Sequence, residues 1–138
     1  MSSAGGYNPM RYDCSASGCY NQALRPRIET FSECFPRQIA MTDVDAMVEM
    51  NNHFLMIEWK ARGGSVSRGQ EIMFERLTKD NDQFVVYVVE GCPKTMEVTQ
   101  YTRYHNSMVQ RFPCPNGKGL DTLKANIRRW VKFTAGAK

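Results

Sequence analysis

The sequence lacks the features of a membrane or secreted protein. It has no apolar run near the roughly 20 residues that a membrane-spanning helix needs. Its opening segment, MSSAGGYNPMRYD, has no apolar stretch of the kind found in signal peptides. It also has no P-loop pattern and no G-x-S-x-G pattern around a serine nucleophile. The absence of a membrane-spanning run and of a signal peptide predicts a cytoplasmic protein with no membrane partner.

Cysteine is present, but in no strong metal-binding or disulfide pattern. The five cysteines are odd in number, and the absence of a secretion signal favours reduced thiols. Zinc sites typically use two short-spaced cysteine pairs, whereas only one loose pair occurs here. We interpret the cysteines as free thiols, with a zinc-clipped N-terminal arm as the alternative. The residues concerned are Cys14, Cys19, Cys34, Cys92, Cys114 and, for the zinc alternative, His105.

Length and composition suit one compact domain. The chain has 138 residues, 42% of them hydrophobic, which allows a sizeable core. Its net charge of +4 is compatible with a nucleic-acid partner but does not demand one. We predict a single domain over 1–138, with an irregular arm over 1–24, a core over 25–104 and a C-terminal helix over 118–134.

The hydrophobic periodicity predicts a mixed α/β fold of the α+β kind, with helices on a β-sheet. Helices are predicted over 26–35, 70–79 with Ser67 as N-cap, and 120–133. Strands are predicted over 38–50, 54–60, 83–90 as a central strand, and 95–104 as an edge strand.

A hairpin in the middle of the chain carries charges at one end. A two-residue loop at Asn51-Asn52 would place Asp45 opposite Glu58, because hairpin loop length fixes the register. Cross-strand carboxylates ~5 Å apart repel unless a proton or a cation lies between them. Lys60 shares a face with Glu58, because strand side chains alternate. The hairpin therefore predicts a Mg²⁺ site held by carboxylate oxygens beside a lysine. The alternative is an ordinary hairpin whose charges lie at its solvent-exposed end.

The stretch TDVDAMVEMNNHFLMIEWK resembles the core of the PD-(D/E)XK nuclease superfamily, in its resolvase-like and exonuclease-like branch. The resemblance implies a restriction-endonuclease-like core, in which a mixed β-sheet flanked by helices carries the site on an antiparallel hairpin. It implies that Asp45, Glu58 and Lys60 are catalytic. The metal ligands would be Asp45, Glu58 and the backbone carbonyl of Trp59. Asp45 is preferred to Asp43, because the later acid matches in similar strands.

The same resemblance extends to the flanking helices. Many members carry a glutamate on the helix before the sheet, for which Glu33 is the first candidate and Glu29 the second. Many also carry a glutamine on the helix after the motif, and Gln70 stands at that place. The resemblance implies that Gln70 and Glu33 are catalytic residues as well.

The implied activity is hydrolysis of phosphodiester bonds with Mg²⁺ or Mn²⁺ as cofactor. DNA is the expected substrate, with single-stranded and branched forms included, in phage, prophage or bacterial recombination, repair or defence. Arg62, Arg68, Lys124 and Arg128 are candidate contacts to substrate phosphates. A homodimer is compatible with this class. The alternatives are a non-catalytic nucleic-acid-binding module of the same fold and a zinc-clipped interaction protein.

Overall fold

The computed structural model describes residues 2–3, 6–7, 28–37, 39, 41–42, 44–61 and 63–136. These belong to two units, 1–43 and 44–138. The first unit contains the antiparallel strands β1 (Ser2–Ser3) and β2 (Gly6–Tyr7) and a 3-10 helix, Ile28–Cys34. This helix takes the place of the one predicted over 26–35. The single domain predicted over 1–138 stays a prediction.

The second unit is built on a five-stranded mixed sheet in the order β3-β4-β5-β6-β7. Helix α1 (Arg68–Leu77) joins β4 to β5, which are parallel, and all other neighbouring strands are antiparallel. Helix α2 (Gly119–Gly136) follows the sheet. The mixed α/β class is confirmed. The strands are β3 (Ala46–Met50), β4 (His53–Ala61), β5 (Phe84–Gly91), β6 (Val98–His105) and β7 (Met108–Pro113).

The sheet packs on both faces, because successive residues of its inner strands are apolar and strand side chains alternate between the two faces. On one face, Leu55 and Tyr87 pack with Trp130 of α2. On the other face, Met56 and Val86 pack with the α1 side chain of Phe74, together with Tyr104 of β6. The helix stripe predicted for the C-terminus is confirmed, since its apolar residues pack in the first cluster. They are Leu120, Leu123, Ile127, Trp130 and Val131.

Two sequence predictions about strands were wrong, and one strand was missed. The strand predicted over 38–50 begins only at Ala46, and the apolar side chains of Ile39, Met41 and Val44 before it are exposed. The strand predicted at the sheet edge, β6, lies between β5 and β7. The outer strand β7 lies in a segment for which no strand was predicted. β7 follows β6 directly through a two-residue turn at Asn106 and Ser107, both with positive φ, and missing this hairpin placed β6 at the edge.

Neither described helix combines the length and the apolar composition that crossing a lipid bilayer requires.

Candidate functional site

The β3–β4 hairpin turns at Asn51 and Asn52, whose φ angles are 51° and 69°. Asparagine tolerates this left-handed region better than most residues, and two such residues match the twist of a hairpin. The turn pairs Met50 with His53. Its backbone is held by Glu49, whose Oε2 accepts a hydrogen bond of 2.9 Å from the Asn52 amide. The predicted two-residue loop is confirmed.

The register of this hairpin bears on where Asp45 lies relative to Glu58. The pairs run without a shift from the turn to Ala46, which lies opposite Ile57. Asp45 is the residue before Ala46, and a slip of one residue would move its side chain to the other face. The pairs up to Ala46 and Ile57 follow the predicted register, and the pairing of Asp45 with Glu58 stays a prediction.

Asp45 uses its carboxylate to extend the end of the ladder. Its Oδ2 accepts a hydrogen bond of 2.7 Å from the backbone amide of Trp59. The carboxylate thus contacts the backbone of the residue between Glu58 and Lys60. Asp45 is exposed, so one side of this carboxylate faces solvent.

Glu58 and Lys60 form a partly buried ion pair on β4. The Nζ atom of Lys60 lies 3.1 Å from Oε2 of Glu58, and Glu58 is only 8% exposed. Both side chains leave the same face of the strand, next to α1. Burying a carboxylate without a partner would cost several kcal/mol, on the order given for buried ions, so the pair is required for this placement.

Gln70 completes the cluster from the first turn of α1. Its Nε2 donates to Glu58 Oε2 at 3.2 Å, and its Oε1 accepts from Lys60 Nζ at 3.4 Å. The helix is positioned by a capping box with Ser67, which confirms the predicted N-cap. The Ser67 hydroxyl accepts from the Gln70 amide, and the Ser67 amide donates to Gln70 Oε1. Glu58, Lys60 and Gln70 are therefore mutually hydrogen-bonded.

The oxygen atoms of this site suit a hard divalent cation. Both contacts to Glu58 use Oε2, and no described residue engages Glu58 Oε1 or Asp45 Oδ1. Mg²⁺ is commonly held by one or two carboxylates, with water and phosphate oxygens filling its other positions. No group of three or more His, Cys, Asp or Glu side chains suited to a metal occurs within the described ranges. The residues fit an ion held by Asp45, Glu58 and the Trp59 carbonyl.

Of the other predicted site residues, the structure describes Glu33, Arg68, Lys124 and Arg128. Glu33 is exposed in the 3-10 helix of the first unit. Asp43 and Arg62 lie outside the described residues. Arg68 is exposed, and its guanidinium pairs with Glu71 at 3.2 Å and with a second acid of α1 at 3.8 Å.

Lys124 and Arg128 are exposed on α2. That helix covers the sheet face opposite the one that carries Glu58 and α1. The two cations therefore lie on a different layer of the second unit from the cluster.

The cysteines of the described residues do not form a zinc cluster. Cys34 is exposed, Cys92 is half-buried and Cys114 is buried with its thiol donating to the Phe112 carbonyl at 3.3 Å. Cys14 and Cys19 lie outside the described residues.

A polar chain that the sequence analysis missed runs from the cluster toward β7. Glu90 pairs with Lys60 in the parallel register and accepts hydrogen bonds from the Gly63 amide and from Gln100 Nε2. Gln100 in turn accepts from Arg111 at 2.6 Å. These side chains line a cavity of about 300 Å³ that also includes Lys60. Alternation in the segment MVQRFP was the available signal.

No family model, no curated protein and no solved structure matches this chain. The geometry of the Glu58–Lys60–Gln70 cluster is therefore the main indication of the class of protein.

Proposed function

We propose that the chain is a divalent-metal-dependent nuclease that hydrolyses phosphodiester bonds, with DNA as its preferred substrate. The observation that carries the proposal is the meeting of Glu58, Lys60 and Gln70 in one hydrogen-bonded cluster. The Asp45 carboxylate accepts a hydrogen bond from the backbone amide of Trp59, which lies between Glu58 and Lys60. An acid, a second acid and a lysine at this spacing on an antiparallel hairpin are the pattern of the PD-(D/E)XK superfamily. A restriction-endonuclease-like core is part of the same proposal.

Asp45, Glu58 and the Trp59 carbonyl are the proposed ligands. A bound Mg²⁺ or Mn²⁺ supplies Lewis-acid polarisation of the scissile phosphate and a lowered pKa for a water molecule. The two carboxylates offer negative oxygens to that ion, and the Asp45 hydrogen bond to the Trp59 amide fixes the spacing between the strands.

Lys60 is the proposed catalytic cation. Its ammonium group is held against Glu58 and Gln70, which leaves one of its three protons to donate to the attacking water or to a phosphate oxygen. Gln70 is a positioning residue that keeps the Lys60 side chain from turning into solvent. Glu33 is proposed as a further acid of the site.

The proposed contacts to DNA are Arg62, Arg68, Lys124 and Arg128. Arg68 would exchange its weak, exposed ion pairs on α1 for phosphate oxygens, which costs little because such pairs contribute about 0–1 kcal/mol. A homodimer would bring two sites to the two strands of a duplex.

The test is a cleavage assay on single-stranded, duplex and branched DNA and on RNA, with Mg²⁺, with Mn²⁺ and with EDTA. We expect metal-dependent cleavage by the wild type, loss of cleavage in Asp45→Asn, and unchanged cleavage in the exposed matched control Asp82→Asn. Failure of the wild type to cut any substrate would refute the nuclease. Equal cleavage by Asp45→Asn would refute the assignment of the site.

The second candidate is a non-catalytic nucleic-acid-binding module of the same fold. The observation in its favour is that Glu58, Lys60 and Gln70 already satisfy one another without an ion. Binding of DNA in EDTA, with no cleavage when either metal is added, would support this alternative.

A further inference from the structure

A second cavity lies on the face of the sheet that carries α2. Its volume is about 320 Å³, and it is lined by side chains of β5, β6 and α2. None of the described residues that line it belongs to the Asp45–Glu58–Lys60–Gln70 cluster. It therefore offers a binding site separate from the one proposed for hydrolysis.

Two arginines supply the charge of this cavity. Arg103 comes from β6 and Arg129 from α2, and no acidic side chain occurs among the described residues of its lining. Both guanidiniums act on the buried Tyr87 hydroxyl: burial raises the pKa of Tyr87, and the two arginines oppose that rise. A positive field with no lining carboxylate favours an anionic ligand.

The arginine on β6 is held in place before any ligand arrives. Arg103 donates a short hydrogen bond to Gln110 and lies over the Phe112 ring, with 5.8 Å from its guanidinium carbon to the ring centroid. A guanidinium that is already ordered loses little entropy on binding. Arg129 is exposed and, within the described part of the chain, has no ion-pair partner.

The remaining walls are aromatic. Phe133 is 40% exposed, and its ring forms T-shaped pairs with His53 and His105 at centroid distances of 5.4 and 5.7 Å. The indole of Trp130 also lines the cavity, and its buried Nε1 has no hydrogen-bond partner. Such walls accept a flat ring, and stacking of a base on an aromatic side chain contributes about 1–3 kcal/mol in single-stranded nucleic-acid complexes.

A further polar group is available to a base edge. Asn126 uses its Nδ2 to donate to the Tyr101 hydroxyl and to the Thr122 carbonyl. Its Oδ1 is left to accept a hydrogen bond, as from the exocyclic amino group of a base.

We propose that this cavity binds a nucleotide, with its phosphate on Arg103 and Arg129 and its base against Phe133. The ligand is either a free mononucleotide or the terminal nucleotide of a strand, which share this chemistry. The inference goes beyond the proposed nuclease activity, because it requires neither the metal nor hydrolysis.

The test is calorimetric titration of the full chain with 2′-deoxyadenosine 5′-monophosphate in EDTA. We expect one nucleotide per chain, and at least about tenfold weaker binding of deoxyadenosine, which lacks the phosphate. A phosphorylated trinucleotide that binds more tightly than the mononucleotide would identify a strand end as the ligand. The reverse order would identify the free nucleotide.

Variants separate the two halves of the site. Arg129→Gln is expected to weaken mononucleotide binding about tenfold or more, and Phe133→Leu to weaken it by a similar factor while keeping an apolar side chain. Arg76→Gln is the matched control, because it removes the same charge from an exposed position of α1. It is expected to bind as the wild type does.

The proposal is overturned if the wild type does not bind the mononucleotide, or if Arg129→Gln binds it as tightly. It is also overturned if Asp45→Asn abolishes binding, because the ligand would then occupy the hydrolytic site. Absence of nuclease activity alone leaves the expected titration unchanged, so the two proposals fail independently.

Discussion

Gln70 has two structural roles at the start of α1. Its side chain closes the capping box with Ser67, and it also bonds Glu58 and Lys60. Because these contacts use the same amide group, the start of the helix and the geometry of the site depend on one side chain.

Substitutions at these two positions separate helix capping from site geometry. Ser67→Ala removes only the cap and is expected to lower the free energy of unfolding by about 1 kcal/mol with cleavage unchanged. Gln70→Ala is expected to lower both stability and cleavage, because Lys60 loses its second anchor. Urea unfolding and cleavage rates measured on both variants check this. Wild-type cleavage by Gln70→Ala would contradict the positioning role.

The sequence predicted the Glu58–Lys60 face but not its contacts. Residues two positions apart on a strand share a face by geometry alone, so the shared face of Glu58 and Lys60 could be predicted without tertiary information. The hydrogen bonds from Gln70 depend on where the first turn of α1 meets β4. The loop between β4 and α1 is irregular, so the sequence does not predict that position. Asp45 was predicted opposite Glu58, whereas its bond to the Trp59 amide could only be seen in three dimensions.

The hairpin and the C-terminal helix were the most predictable elements. Their signals are local: two asparagines with positive φ set the turn, and a stripe of apolar residues sets the buried side of α2. Strand β7 was missed because its residues are largely exposed and its alternation is short. Without β7, β6 was predicted to be the edge strand. The hydrogen bond from Arg111 of β7 to Gln100 could therefore not be predicted.

The start of α2 packs unusually close to β6. A Cβ atom added to Gly119 would lie 1.9 Å from the carbonyl oxygen of Val98, which is backbone and has no rotamer to adopt. Only glycine allows this approach, which brings the helix onto the sheet.

Gly119→Ala is therefore expected to destabilise the fold by about 1–3 kcal/mol, the usual cost of overpacking. Gly136→Ala is the matched control in the same helix, since no atom lies within 4 Å of an added Cβ there. We expect that control to be neutral or slightly stabilising. Thermal unfolding of both variants is the measurement, and equal melting temperatures would contradict the close packing.

At the scale of the whole molecule, burial suppresses ionisation of several core groups. Burial raises the pKa of Tyr87, Tyr101, Tyr104 and Cys114 above their ordinary values. Each group holds its proton longer in the folded chain than in the unfolded one. The stability linked to these groups is fully present below their unfolded pKa values, and it is lost as pH rises toward their folded pKa values.

We therefore expect the free energy of unfolding to fall as pH rises above about 9–10, where the unfolded thiol and phenols ionise. Tyr104→Phe removes one of these groups while keeping its ring in the core. Its loss of stability between neutral and alkaline pH is expected to be smaller than that of the wild type. Urea unfolding at pH 7 and pH 10.5 measures this, and an equal loss in both proteins would contradict the assignment.

The central claim is that the β3–β4 hairpin and α1 form one hydrolytic site in which Lys60 acts on the substrate. The most direct measurement is the single-turnover rate of DNA cleavage with Mn²⁺, for the wild type, Lys60→Ala and the exposed control Lys79→Ala. We predict a rate about 100-fold or more lower in Lys60→Ala, in the range for loss of one acid–base group, with the control unchanged. A Lys60→Ala protein that is folded and cuts DNA at the wild-type rate would contradict the account.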